Sequence, residues 1–362
     1  MDQPRVEKRK IEVLTMSAPK SVHAPTNEYS TRLRDWIARH EVSLYFLATF
    51  VFSWAIYGCL SLISIENQTV LSRWLLIAAF GPSVTAMLIS GIANPATSKP
   101  KGLPYVICFA LAFVAVGAVE WLDHKWWNHR VDTALIVADL ILVSLAALVI
   151  SGVRFPAQGV RDLLSGLTRW RLGAGWYMLA LVLWPAVVLG GNALASSLGL
   201  GVPAKPSVPS IPVVPLAIES FFWYLFFGGP LNEEAGWRGF AQTKLQRRFS
   251  PLTAGVIIGA LWGLWHVPLH LMGVYPMGAR GAIIRIFSIP SGVAFAWLFN
   301  RTHQSLLPVL VLHAARNTTS LFVSRNYVTT ELLYLLLTVC VVFLDKMWRP
   351  LKPQPSQADS GS

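Results

Sequence analysis

Apolar runs of about 20 residues, the length that crosses roughly 30 Å of hydrocarbon, recur along almost the whole chain. They fall near residues 42–64, 71–93, 103–121, 133–152, 173–195, 214–236, 252–272, 282–299, 305–323 and 328–345. Short polar connections separate them. The pattern predicts an all-α fold, a polytopic membrane helical bundle of eight to ten transmembrane helices. The run at 282–299 is the weakest, since it holds Arg285 and Pro290. The sequence divides into a polar N-terminal tail (1–40), a first group of transmembrane helices (41–210), a later transmembrane core (211–347), and a tail (348–362) whose Pro, Ser and Gln predict disorder.

Composition agrees with a membrane-embedded chain. Of 362 residues, 54% are hydrophobic and 13% charged, and the mean hydropathy is +0.51, too apolar for an ordinary soluble domain. A net charge of +12 could suggest nucleic acid, but its distribution argues otherwise. With a cytoplasmic N-terminus and ten spans, 22 basic residues fall on inner segments and 7 on outer ones. That bias places both termini in the cytoplasm of a multi-pass protein, expected in a bacterial plasma membrane, with the lipid bilayer rather than nucleic acid as partner. The stretch from Arg154 to Arg171 mixes arginines with Phe155, Val160, Leu163, Leu164, Leu167 and Trp170, as an amphipathic interfacial segment would. The basic first forty residues do not read as a cleavable signal, and the C-terminus carries no prenylation box. Cys59, Cys108 and Cys340 lie in apolar runs at spacings that fit neither a disulfide framework nor a metal knuckle.

Against this background a few polar residues stand out. Ionisable groups in hydrocarbon cost several kcal/mol and are kept mainly where they line a polar cavity. Glu233 and Glu234 precede Arg238 in Asn232-Glu233-Glu234-Ala235-Gly236-Trp237-Arg238. On a helix Glu234 and Arg238 share a face, so one carboxylate is held by the guanidinium while Glu233 points about 100° away, free to react. An ion pair at a helix end would explain the same residues. Trp262, His266 and His270 share a face of the next run, and His313 and Asn317 lie one turn apart two runs later. Each alone could be interhelical glue. Together, the Glu, two His and Asn satisfy one another only by converging on one cavity.

In such a cavity a carboxylate beside an imidazole can deprotonate water, and His and Asn donors can hold the oxyanion formed on an amide carbonyl. No cofactor is then required. The alternative is a divalent metal, zinc on Glu233, His266 and His313, although no His-Glu-x-x-His spacing is present.

The blocks Glu-Glu-x-x-x-Arg (Glu233 to Arg238), aromatic-x-x-x-His (Trp262 to His266) and His-x-x-x-Asn (His313 to Asn317) resemble, in order and spacing, the three signatures of the CPBP intramembrane proteases. These are the type II CAAX prenyl endopeptidases and their bacterial, bacteriocin-related (Abi-like) relatives. The resemblance covers roughly residues 215–325 and departs at Trp262, where the family usually has Phe. It implies that Glu233 and His266 activate water, that His313 and Asn317 stabilise the oxyanion, and that Glu234, Arg238 and Trp262 support the site. The implied substrate is a membrane-associated, prenylated or leader peptide.

Two other functions fit the composition: a non-catalytic immunity or scaffold protein of the same fold, and an ion- or proton-coupled transporter. A transporter should show two related halves, whereas Glu120 and Asp139 read as isolated charges in the first five runs. One geometric difficulty remains. Counted from their helix starts, Glu233 would lie about 28 Å inward and His266 about 21 Å outward, at different depths, so Gly228-Gly229-Pro230 is expected to break the helix and bring them level.

Overall fold

The computed structural model describes residues 28–95, 102–204, 206, 208–275, 277–285 and 288–351. The expectations for residues 1–27 and 352–362 lie outside these, and the part of the N-terminal tail that is described is helical from Glu28 onward. The described residues form helices α1 (Glu28–Ser61), α2 (Gln68–Ala79), α3 (Gly81–Ala93), α4 (Gly102–Trp127), α5 (Thr133–Ser151), α6 (Gln158–Leu164) and α7 (Ala174–Ser197). There follow α8 (Val213–Phe227), α9 (Pro230–Glu234), α10 (Thr243–Leu245), α11 (Pro251–Trp265), α12 (Val267–Leu271), α13 (Gly278–Ile284), α14 (Ser288–Arg301), α15 (Leu307–Phe322) and α16 (Tyr327–Leu344). Residues Ala235–Gln242 join α9 to α10 as a π-helical turn.

Among the described residues each apolar run of the sequence falls mainly on one helix or on two consecutive ones. Among the described residues eight helices, some continuous across two of the segments above, are long and apolar enough to cross a membrane; the pair α13 and α14, bent by 42°, raises this to nine. The chain is an all-α, multi-pass membrane protein. α15, at 16 residues, is the short one, and it carries the polar His313, Arg316 and Asn317.

Small residues let the helices of the late core touch backbone to backbone. A methyl added at Gly259 on α11 would stand 2.6 Å from the Ile289 Cα of α14, and one at Gly292 on α14 would meet the Gly255 carbonyl at 2.5 Å. Without a hydrophobic drive between helices in lipid, such close packing supplies the dispersion that holds them together. The same device docks the site onto the first half of the chain: a methyl at Gly236 would lie 2.4 Å from the Pro82 carbonyl at the start of α3. Ser83 on α3 also donates to the Leu231 carbonyl at 2.9 Å. The stretch from Arg154 to Arg171 folds as α6 flanked by single 3₁₀ turns, with Val160 and Leu164 buried and Arg161 donating to the Phe155 and Pro156 carbonyls.

One expectation is corrected. Glu120 and Asp139 are not isolated: Arg73 of α2, one of the seven basic residues that the loop count assigns to the outer side, is buried between helices. It pairs with Glu120 at 2.7 Å, Asp123 at 2.5 Å and Asp139 at 3.3 Å. His124 and His129 complete the network on Asp139 (2.8 Å) and Asp123 (3.0 Å). A charge buried among helices must find its partners there, and these come from helices α4 and α5, beyond the reach of spacing along the chain. The three cysteines are unpaired.

The glycine seam gives a direct test. Gly259→Val forces α11 from α14 and is expected to cost about 1–3 kcal/mol by overpacking, read as a lowered melting temperature in detergent, whereas Gly58→Val, with open space around it, leaves the melt unchanged.

Candidate functional site

The site is built on a helix break. α8 stops at Phe227, where the Gly228 amide donates to the Tyr224 carbonyl at 2.9 Å. Gly229 then takes φ +125°, a conformation open to glycine and costly for any other residue. Pro230 starts α9, where its missing N–H is no loss. The Asn232 side chain donates back to the Phe227 carbonyl at 2.9 Å and closes the junction. The distortion expected at Gly228-Gly229-Pro230 is therefore present, and it sets Glu233 and Glu234 in the first turn of α9, within a span that still runs on from α8 over 213–245.

A second interruption aligns His266. α11 ends at Trp265, His266 caps it, and Pro268 opens α12. His266 Nδ1 lies 2.7 Å from the Trp262 carbonyl oxygen. A carbonyl only accepts, so Nδ1 carries the proton and Nε2 of the neutral ring keeps its lone pair. Trp262 has a further role that its ring alone would not supply. Its indole N–H donates to Glu233 Oε2 at 2.5 Å, while the ring stands 5.5 Å from that of His266 and 5.6 Å from that of His313.

Behind these groups runs a buried charge chain. Arg238 reaches the two Glu234 oxygens at 2.8 and 3.1 Å, and both side chains are completely buried. The guanidinium carbon lies 5.1 Å from the Trp262 ring centre and 4.6 Å from that of Phe295, so cation–π contact covers the faces that no carboxylate meets. His313 Nδ1 lies 2.7 Å from Glu234 Oε1. With Glu234 ionised by its guanidinium partner, that nitrogen donates and Nε2 faces forward: a methyl at Gly229 would stand 2.9 Å from His313 Nε2 and 3.1 Å from Glu233 Oε1.

Glu233, His266, Gly228 and Gly229 line a cavity of about 440 Å³, together with Tyr57, Tyr224, Trp265 and Tyr275. His313 reaches its wall through Gly229. Asn317 donates an amide hydrogen to the Gly228 carbonyl at 2.6 Å, which ties α15 to the break. Glu234, Arg238 and Trp262 stand behind the wall. Sequence reasoning missed Tyr275, whose ring lies 6.0 Å from His266 at 24° and 4.9 Å from the Arg285 guanidinium. Burial holds its hydroxyl above the ordinary phenol range, so it stays a hydrogen-bond donor. Only Gly273, at φ +74°, marks the reversal that carries it back over the site, and one glycine in a loop is a weak sign. His270, expected near a helix end, is buried and accepts from Arg285 Nε at 2.9 Å.

The forward-facing Nε2 atoms of His266 and His313 suit a water or a metal equally in chemistry. Among the described residues, the three that bring metal-ligand atoms within 4.8 Å of one another are Glu120, His124 and Asp139, and two of these are already bound to Arg73.

Residues 215–319 match the family described as Type II CAAX prenyl endopeptidase Rce1-like. Over 127 residues the chain is 25% identical to "CAAX prenyl protease 2" of Methanococcus maripaludis, a match covering 32% of this chain and 47% of that protein. The chain thus spans about half the length of that relative. All seven residues singled out above, from Glu233 to Asn317, fall inside the matched region.

The charge chain predicts an asymmetric response to substitution. Arg238→Met leaves the buried Glu234 carboxylate without its guanidinium, held by His313 Nδ1, and the loss of one partner of a buried ion pair costs about 3–5 kcal/mol. Removing both charges together, with Glu234→Gln and Arg238→Met, restores part of that loss, as thermal unfolding of the two variants in detergent checks.

Proposed function

From the premise that residues 215–319 belong to the Rce1-like type II CAAX prenyl endopeptidase family, we propose that the chain is an intramembrane endopeptidase working by Glu/His-activated water. The observation that carries this reading is the shared cavity in which the Glu233 carboxylate and the His266 Nε2 lone pair are both presented, each fixed by Trp262. A water held between them loses a proton to that pair as it attacks the substrate carbonyl. The same groups return the proton to the leaving amine.

The oxyanion side falls to His313 and Asn317. To donate from Nε2, His313 carries both ring protons, and its positive charge is met by Glu234, whose own charge is shared with Arg238. With Glu233 ionised, the four groups Glu233, Glu234, Arg238 and His313 sum to zero, which a buried site requires. Asn317 spends one amide hydrogen on the Gly228 carbonyl, which leaves its other amide hydrogen for the substrate carbonyl oxygen. Glu234, Arg238 and Trp262 act through these residues and touch no reacting atom. The substrate is a peptide of a membrane-associated protein, in the class that includes prenylated and leader peptides.

The decisive variant is Glu233→Gln, which keeps the shape and the indole contact but removes the base. Cleavage of a membrane-peptide library is expected to fall on the order of 10²–10⁴-fold, and His313→Ala by on the order of 10²–10³-fold. Unchanged hydrolysis by folded Glu233→Gln removes Glu233 from the mechanism. Trp262→Phe keeps the aromatic wall and loses one hydrogen bond, so a decrease of about tenfold follows from roughly 1–1.5 kcal/mol. Metal analysis of the purified protein, with and without a chelator, reads the competing chemistry: activity that survives chelation is expected, and stoichiometric zinc lost together with activity overturns the metal-free route.

A further inference from the structure

We infer that Arg316, Arg285 and Arg325 form a subsite for a carboxylate of the peptide substrate, beside the catalytic groups. That the ligand is a peptide rests on the endopeptidase reading; the cationic cluster itself stands apart from it.

Arg316 is the ionisable residue of α15 that the water-activating and oxyanion roles leave unused, three residues after His313 and one before Asn317. A charge in a membrane-spanning segment is kept where it meets a partner or serves a function. Its guanidinium donates to the Ser291 hydroxyl at 2.6 Å and lies 4.3 Å from the Trp184 ring centre. Neither of these carries a charge. Ser291 and Trp184 are both buried, so this cation faces the interior of the bundle and not the acyl chains.

Two more arginines join it. Arg325, in the connection from α15 to α16, stands against the same indole at 5.1 Å. Arg285 follows α13, donates through Nε to His270 at 2.9 Å and lies 4.9 Å from the ring of Tyr275, a residue of the cavity wall. Among the described residues the one carboxylate in ion-pair contact with these three is Glu331, 3.4 Å from Arg325. Arg325 Nε is buried and has no hydrogen-bond partner among them. Burial, and after it the Arg316 charge, hold the Arg325 guanidinium below its ordinary range, with Arg285 acting in the same sense and Glu331 against it. The three cations thus share one field, in which a single carboxylate answers them.

The catalytic set does not absorb this surplus, because Glu233, Glu234, Arg238 and the doubly protonated His313 already sum to zero. Like charges gathered where water is scarce repel strongly, and an anion arriving among them relieves that repulsion. The planar guanidinium fork matches a carboxylate with two parallel hydrogen bonds. A peptide brings such a group at its free C-terminus or on an Asp or Glu side chain. The helix that presents His313 and Asn317 to the reacting carbonyl also presents Arg316, and Arg285 reaches the cavity wall through Tyr275.

The test compares matched membrane peptides with a free C-terminus, with an amidated C-terminus, and with each Asp or Glu changed to Asn or Gln. Binding to the non-cleaving Glu233→Gln protein in detergent is read by fluorescence anisotropy, and cleavage by the parent protein is read as kcat and KM. The carboxylate-bearing peptide is expected to bind on the order of 10–100-fold more tightly than its neutral counterpart, with the difference appearing in KM and not in kcat. The C-terminal and side-chain arms tell which carboxylate is recognised. Arg316→Gln is expected to bring that ratio close to one, and Arg316→Lys to restore part of it, since a point charge lacks the fork. If Arg316→Gln fails to accumulate, Arg325→Gln decides. Equal binding of charged and neutral peptides, or a ratio unchanged by the substitutions, overturns the proposal. So does an anionic phospholipid that copurifies with the parent protein and is lost from Arg316→Gln while the ratio stays. Carboxylate-selective binding without cleavage counts against the endopeptidase reading alone, and cleavage without selectivity counts against the subsite alone.

Discussion

Stripping water from the Arg238 guanidinium would be prohibitively costly if Glu234 did not meet it at 2.8 Å and two aromatic rings did not cover its faces. Because that charge is neutralised in place, Glu234 can spend its second interaction on His313 and fix which nitrogen looks forward. Each later element of the site inherits its position from this pair. The imidazole faces Gly229 because its rear nitrogen is taken, and Gly229 stays a glycine because the imidazole and Glu233 leave no room for a methyl.

Trp262 joins the two halves of the chemistry. One residue gives its indole hydrogen to Glu233 and its backbone carbonyl to His266, so acid and base cannot drift apart without moving α11. That helix is in turn pressed against α14 through glycines, a contact with little play because backbone atoms form both sides of it. Rigidity here comes from missing side chains: the small residues carry no chemistry, yet they hold the groups that do.

Much of this was legible in the sequence. Glu233, His266 and His313 stand out because a polar residue in an apolar run has few reasons to be there, and the spacing of Glu234 and Arg238 already implied their pairing. The break at Gly228-Gly229-Pro230 followed from a conflict of depths. Other features were hidden for physical reasons. Spacing shows that Trp262 and His266 share a face, but not that the indole hydrogen points across to another helix. Asn317 reads as a partner of His313, whereas one of its amide hydrogens is committed to the Gly228 carbonyl. Arg73 was unreadable because its three carboxylates lie 47, 50 and 66 positions away along the chain, where only tertiary folding brings them close.

Trp223 belongs to two assemblies at once. Its ring forms part of the cavity wall, its indole hydrogen goes to Glu120 Oε2 at 3.0 Å, and Arg73 lies 4.9 Å above it. A single aromatic plate is thus shared between the chamber and an ionic lattice contributed by the amino-terminal half of the chain. The early helices are consequently more than lipid-facing padding: loosening any member of that lattice would let the plate swing and alter the shape of the space beside Glu233, without a change in any residue of the matched region.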